Sequence, residues 1–178
     1  MRRLWVLLAA GLLLAGCGAT RPARAGRSKI ATAQATHEYP SPKPPPQTSA
    51  GSSSSAVGAV RSFATAYINW TTDTVTADMR ALAARSIGQA RSALELAAAQ
   101  TASDYELQQG GISNAGQVEV VAPLPSGRDQ YVVVTREQTA AANTTAYQGL
   151  RPAWHVAIAT VSLLAPGAWV VSGWQPQS

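Results

Sequence analysis

Gln130-Tyr131-Val132-Val133-Val134-Thr135-Arg136-Glu137 sets three consecutive valines behind a tyrosine and ahead of a threonine. β-Branched side chains lose rotamer freedom in a helix and pack well on a pleated surface. The stretch before it, Pro125-Ser126-Gly127-Arg128-Asp129, is turn chemistry. The octet therefore reads as a strand. Tyr131 to Val134 is apolar on both faces, which predicts a central strand covered on both sides.

Working outward, Gln117-Val118-Glu119-Val120-Val121 reads as the strand before it, and the polar run Thr139 to Thr145 as the connection after it. Trp154 to Leu164 is a long strand with Trp154, Val156 and Ile158 on one face and His155, Ala157, Ala159 and Val161 on the other. Ala165-Pro166-Gly167-Ala168 sets Pro then Gly at the centre of a turn. Trp169-Val170-Val171-Ser172-Gly173-Trp174 is the last strand.

Before Gly110-Gly111 the period changes to that of helices. Val57, Val60, Phe63, Tyr67 and Trp70 recur at three- and four-residue steps, with a serine run ahead as N-cap. Thr71-Thr72-Asp73-Thr74 breaks this helix and offers caps for the next, which carries Val75, Met79 and Leu82 on one face. After Ser86 to Gly88 a third helix follows Ile87, Ala90, Leu94 and Ala97 and runs to Leu107, ended by Gly110-Gly111. Arg136-Glu137, closing its strand, reads as a solvated edge. The expectation is α+β, with three helices packed on a curved four-stranded antiparallel sheet. A parallel sheet needs crossovers that these short connections cannot supply. Helices burying their stripes on a concave antiparallel sheet form the cone of the nuclear transport factor 2-like (cystatin-like) fold, which is the fold expected here over residues 56–178.

The N-terminus reads as an address. Arg2-Arg3, an apolar run from Leu4 to Leu14 and small residues before a cleavage point make a secretory signal over residues 1–16. Leu14-Ala15-Gly16-Cys17 resembles a bacterial lipobox, in which the cysteine is lipidated and becomes the first mature residue. Cys17 is the only cysteine in the chain, so no internal disulfide is possible. The apolar run is shorter than the roughly 20 residues a spanning helix needs. One acyl chain anchors only marginally, and the resemblance implies several, palmitate among them. Residues 17–55, rich in Pro, Ser, Ala and Arg, read as a disordered tether. Its Tyr39-Pro40-Ser41-Pro42-Lys43-Pro44-Pro45-Pro46 stretch reads as a semi-rigid polyproline spacer.

The formal charge of +5 belongs to the two ends of this reading unequally. From Val57 onward seven arginines face eight Asp and Glu, so the folded part is near neutral. The excess lies in the tether, where Arg21, Arg24, Arg27, Lys29 and Lys43 face only Glu38. A nucleic-acid-binding domain would concentrate basic charge on its folded surface, and this chain does not. Basic residues beside a lipid anchor suit an anionic membrane surface, or else a plain soluble tether.

Arg61-Ser62-Phe63-Ala64-Thr65-Ala66-Tyr67-Ile68-Asn69-Trp70, Gly127-Arg128-Asp129-Gln130-Tyr131-Val132-Val133-Val134 and Trp169-Val170-Val171-Ser172-Gly173-Trp174 together resemble small actinobacterial proteins of the conjugative-transfer and type IV secretion group. The resemblance implies a cone-shaped domain outside the membrane that helps assemble a transfer channel. The chain departs from that group in its anchor, since the better-known members carry an N-terminal transmembrane helix.

No catalytic motif stands out. His155 is the one histidine of the folded part, with Asp73, Asp104, Tyr67 and Tyr105 as partners by type. The structural reading, a half-buried histidine bonded to the backbone, is preferred over a catalytic one. One histidine and no cysteine in the domain give no metal site, and no cofactor is expected. Tyr67, Trp70, Trp154, His155, Trp169 and Trp174 are the candidates for a pocket or an interface. The expected function is a non-enzymatic, lipid-anchored module on the extracytoplasmic face of the cell membrane, contacting envelope proteins or channel subunits and no nucleic acid. The alternative is a small-ligand-binding or isomerase-like cone. Replacing Cys17 with serine is expected to abolish fatty-acid labelling and release the protein or leave its precursor uncut. Unchanged labelling in that variant removes the lipobox reading.

Overall fold

In a computed structural model of the protein, residues 46–177 are described; the signal, Cys17 and the tether as far as residue 45 lie outside them. The helical half begins where the serine run ends. Ser55 is the N-cap of α1 (Ala56–Ile68), its hydroxyl accepting from the Gly58 amide at 3.1 Å. Val60, Phe63, Ala64 and Ile68 form its buried stripe, while Val57 stays exposed. α2 (Val75–Ala84) buries Val75, Met79, Leu82 and Ala83. Thr74 precedes it without capping it; its hydroxyl accepts instead from the Thr71 amide at 3.1 Å. α3 (Gly88–Ala102) buries Ala90, Leu94 and Ala98, and the two alanines let it lie close to α2.

Four helices, not three, are present among the described residues. The apolar pattern carries the third to Leu107, but the helix stops at Ala102. Asp104 takes an extended conformation and accepts from the Leu107 amide at 2.9 Å, which starts α4 (Tyr105–Gly110) afresh. Gly111 then ends that turn in the left-handed region at φ 61°, where glycine has no Cβ to clash.

The sheet is antiparallel in the order β1-β2-β3-β4, comprising β1 (Ile112–Pro123), β2 (Gln130–Ala141), β3 (Ala153–Ala165) and β4 (Ala168–Gln177). β1 and β2 extend further than the apolar pattern indicates. Thr139, expected to start a connection, pairs with Asn114 inside the sheet. The Pro166-Gly167 turn forms as expected, with Gly167 at φ 74°.

β2 is central, but the helices cover only one side of it. Val133 is fully buried with Ala157, Ala159 and Val161 against the helical layer. Val132 and Val134 point the other way and are half-buried, with no described element over them. The expectation of a strand covered on both sides is therefore corrected: all the helices precede the sheet and pack on one face.

Both edges of this open sheet are met by backbone and side-chain groups in equal measure, over part of their length. On β1, Asn114 and Trp70 exchange two backbone bonds of 3.0 Å. The Asn69 carboxamide accepts from the Gly116 amide (3.0 Å) and donates to the Gly116 carbonyl (3.2 Å). Arg61 donates to the Val118 carbonyl at 2.9 Å. On β4, Ser53 exchanges two backbone bonds of 2.9 Å with Trp169, and the Val171 carbonyl accepts from Ile87 at 3.1 Å. The Gln89 carboxamide accepts from the Trp174 amide (2.9 Å) and donates to its carbonyl (3.4 Å). A carboxamide has the donor and acceptor of a peptide group, so Asn69 and Gln89 each stand in for a strand residue. Pro123 and Pro176 offer no N–H at the strand ends.

The Ser53 contact also corrects the tether boundary. Compositional bias sets its end at residue 55, yet Gln47 to Ser53 lies on the domain. Gln47 accepts from the Gly88 amide, the Thr48 carbonyl from Arg91, and Ala50 donates to the Ala84 carbonyl at 2.9 Å. Backbone groups carry most of these contacts, so composition does not announce them. Asn69→Ala and Gln89→Ala are each expected to cost about 1 kcal/mol: the first loses three exposed side-chain hydrogen bonds, one of them to the Thr65 carbonyl of its own helix, and the second loses two half-buried ones. Denaturant unfolding checks the magnitude, and amide exchange should quicken at Gly116 and Trp174 respectively.

Candidate functional site

The two faces of the sheet carry different chemistry. On the helix-facing side, successive cross-strand pairs of β2 and β3 run Tyr131–Ala159, Val133–Ala157 and Thr135–His155, with Glu137 beyond. The face passes from apolar to polar as it leaves the helices. Glu137 is held there. One carboxylate oxygen accepts from the Asn114 side chain at 2.8 Å and the other from the Thr135 hydroxyl. Asn114 is buried and fully engaged: its amide nitrogen also donates to the Ile68 carbonyl at 2.8 Å, and its oxygen accepts from Thr139 at 3.1 Å. Opposite Glu137 stands Gly116, where an added Cβ would fall 2.7 Å from the Arg136 carbonyl and 2.9 Å from the Glu137 side chain. Only glycine leaves room for this packing.

Three aromatics fill the space between α1 and the sheet. Phe63 stacks on Tyr67 at 6.0 Å between centroids, and Trp174 tilts against Phe63 at 5.1 Å and against Tyr67 at 5.3 Å. Burial, and next the Glu137 carboxylate, push the Tyr67 phenol above its ordinary value. The Trp174 indole pulls the other way, although its buried Nε1 makes no hydrogen bond of normal geometry among the described residues. What stays open is a recess of about 170 Å³ lined by Tyr67, Thr135, Glu137, His155, Ala157 and Trp174, among others. Sites for small organic ligands usually measure about 300 Å³ or more.

The structure thus sorts the sequence candidates. Tyr67, His155 and Trp174 meet at the recess. His155 is exposed rather than half-buried, because it lies on β3 beyond the reach of the helices. Neither Asp73 nor Asp104 lines that recess: Asp73 is exposed in the turn before α2, and Asp104 caps α4. Tyr105 is 71% exposed. Trp70 and Trp169 pack half-buried at opposite edges of the sheet. Trp174, near the chain end, is the deeply buried tryptophan, and Trp154, at 63% exposure, is on the surface. Sequence reasoning missed Asn114, Thr135 and Glu137. Arg136-Glu137 is not a solvated edge, because β2 is central and splits the pair between the two faces. Counting in twos from Val133 would have placed Thr135 and Glu137 inward.

The outer face is apolar and uncovered by any described residue. In register across three strands it presents Ala122–Val132–Ile158, then Val120–Val134–Val156, then Gln117–Arg136–Trp154. Val120, Val156 and Trp154 are exposed, and the Arg136 guanidinium lies over the Trp154 ring, 6.0 Å from its centroid. The register shift between Val118 and Val120 is a bulge that turns Glu119 onto this face, where it lines a shallow recess with Gln117 and Arg136.

Among the described residues no helix is long and apolar enough to cross a membrane, and no group of three or more His, Cys, Asp or Glu is placed to hold a metal ion. No protein-family model matches the chain, and no curated protein matches it significantly.

The folded state holds the Tyr67 proton more tightly than the unfolded chain does. Its contribution to stability is therefore complete below the ordinary phenol value of 10.0 and is lost as pH rises through the raised folded value. Tyr67→Phe should flatten this alkaline loss in unfolding experiments. Glu137→Gln should move the phenolate absorbance titration of Tyr67 to lower pH, since it removes a neighbouring negative charge.

Proposed function

We propose that this chain is a non-enzymatic module for protein contacts, held at the extracytoplasmic face of the cell membrane by a lipidated Cys17. One observation carries the reading: an ordered, in-register apolar face, with Trp154, Val156 and Val120 exposed, lies opposite the helical layer. Isolated exposed apolar residues need no explanation, whereas a contiguous patch on a folded domain marks an interaction site. The filled interior supports the same conclusion, because Phe63, Tyr67 and Trp174 occupy the space in which a cone-shaped binder would hold its ligand. The nuclear transport factor 2-like cone is our reading of the helix-on-sheet arrangement, and a component of a conjugation or secretion channel is the role that the sequence resemblance favours.

A second reading rests on a different observation. Tyr67, Thr135, Glu137 and His155 bring a phenol, a hydroxyl, a carboxylate and an imidazole to one recess. These are groups a small polar ligand would use, though the recess admits only a few non-hydrogen atoms at about 20–30 Å³ each.

Cross-linking in intact cells, followed by purification through a C-terminal tag, tests the main reading. Envelope proteins are expected in the captured material from the wild type and are expected to be lost with Trp154→Ala combined with Val134→Glu. Equal capture by that variant overturns the reading. A small molecule retained by the purified protein in native mass spectrometry, and lost on Glu137→Gln, would transfer the assignment to the recess.

A further inference from the structure

We infer that the outer face of the sheet docks a second copy of this chain, face to face across a two-fold axis, with Glu119 of each copy opposite Arg136 of the other. The inference rests on the reading of this face as a contact surface and adds what occupies it.

Three features of the face select its own copy. The first is closure of the edges. Trp70, Asn69 and Arg61 occupy β1, and Ser53, Ile87 and Gln89 occupy β4. Assembly by adding a strand is blocked from Asn114 to Val118 on β1 and from Trp169 to Trp174 on β4, which favours the face. The second is size. Strands of 12, 12, 13 and 10 residues make up the sheet. At about 3.3 Å per residue and about 4.8 Å between strands, the face measures roughly 750 Å². A standard interface needs about 800 Å² from each partner. The third is charge. A two-fold contact sets each patch against itself, so the patch must contain its own complement. This one carries an acid and a base, Glu119 and Arg136, lining a single shallow recess. Neither has an ion-pair partner among the described residues; Arg136 lies on the Trp154 ring instead. Two copies of one sheet also share one twist, so their aliphatic rungs pack at the aligned sheet-on-sheet angle of about −30°.

Sedimentation equilibrium of the full chain at increasing concentration tests this. A monomer–dimer equilibrium is expected. Glu119→Arg alone and Arg136→Glu alone should each weaken it by about tenfold or more, since like charges then face one another. An equimolar mixture of the two variants should recover the dimer, because both contacts of the mixed pair again set an acid against a base. Circular dichroism of each variant separates misfolding from lost contact, and the recovery in the mixture cannot arise from misfolding. A wild-type chain that stays monomeric to about 200 µM, where a micromolar contact would be nearly saturated, overturns the inference. So does a dimer indifferent to both charge reversals. If the chain is monomeric while cellular capture still requires Val134 and Trp154, the occupant is a different protein or a lipid surface; the contact reading then stands and the second copy does not.

Discussion

All the described helices come before the first strand, and the strands are then joined by connections without helices. Helices joined by short turns ahead of this sheet pack as one layer on one face, and helix-free connections between the strands put nothing on the other. This ordering governs the rest of the domain. Val133, Ala157, Ala159 and Val161 are buried because α1 and α3 lie on the sheet, with α2 packed against those two helices. Val132, Val134, Val156 and Trp154 lie in the same strands one residue out of phase and have no helix to meet. The chemistry of the two faces differs through this placement, since valines of one kind lie on both.

An open sheet of this kind has two bare edges, and the end of α1 closes one of them. Ile68 gives its carbonyl to Asn114, Asn69 pairs its carboxamide with Gly116, and Trp70 takes up a strand-like bridge. The same turn thus seals β1 and fixes the Asn114–Glu137–Thr135 network that shapes the inner recess. At the other edge Gln89, from the first turn of α3, repeats the carboxamide solution on Trp174. A loss at that second position would expose backbone and also shift the aromatic cluster, because Trp174 belongs to both.

Much of the architecture was legible in the residues. β-Branched and apolar runs bounded by turn residues marked all four strands, period-3.6 stripes marked α1 to α3, and Pro166-Gly167 marked its turn. Local pattern was silent where a side chain answers to tertiary partners. Asp104 is the exception, a local N-cap whose carboxylate accepts from the Leu107 amide three residues on, which the apolar pattern running to Leu107 passes over. The triplet Val132-Val133-Val134 declares burial on both faces, yet covering the second face is a property of chain topology. Trp174 and Trp154 stood out alike by residue type, and only the fold separates them: the first is buried in the aromatic cluster, and the second shares its face with residues that no helix reaches. The polar recess was half visible: His155 and Tyr67 stood out as residue types and Glu137 was within reach of a count along β2, whereas Asn114 gained meaning only through the register of β1 with β2.

The segment from Gln47 to Ser53 has a mechanical consequence. A domain pulled through its N-terminal side does not receive the load at α1. Gln47 against Gly88 and Thr48 against Arg91, both in the first turn of α3, Ala50 against Ala84 at the end of α2, and Ser53 against Trp169 on β4 meet it in turn. These contacts are arranged to peel in succession, so each step dissipates a little work and lengthens the chain by a few residues. The segment is a shock absorber ahead of the core, and the Ser53 bridge to β4 is its last stop before force reaches the Ser55 cap of α1.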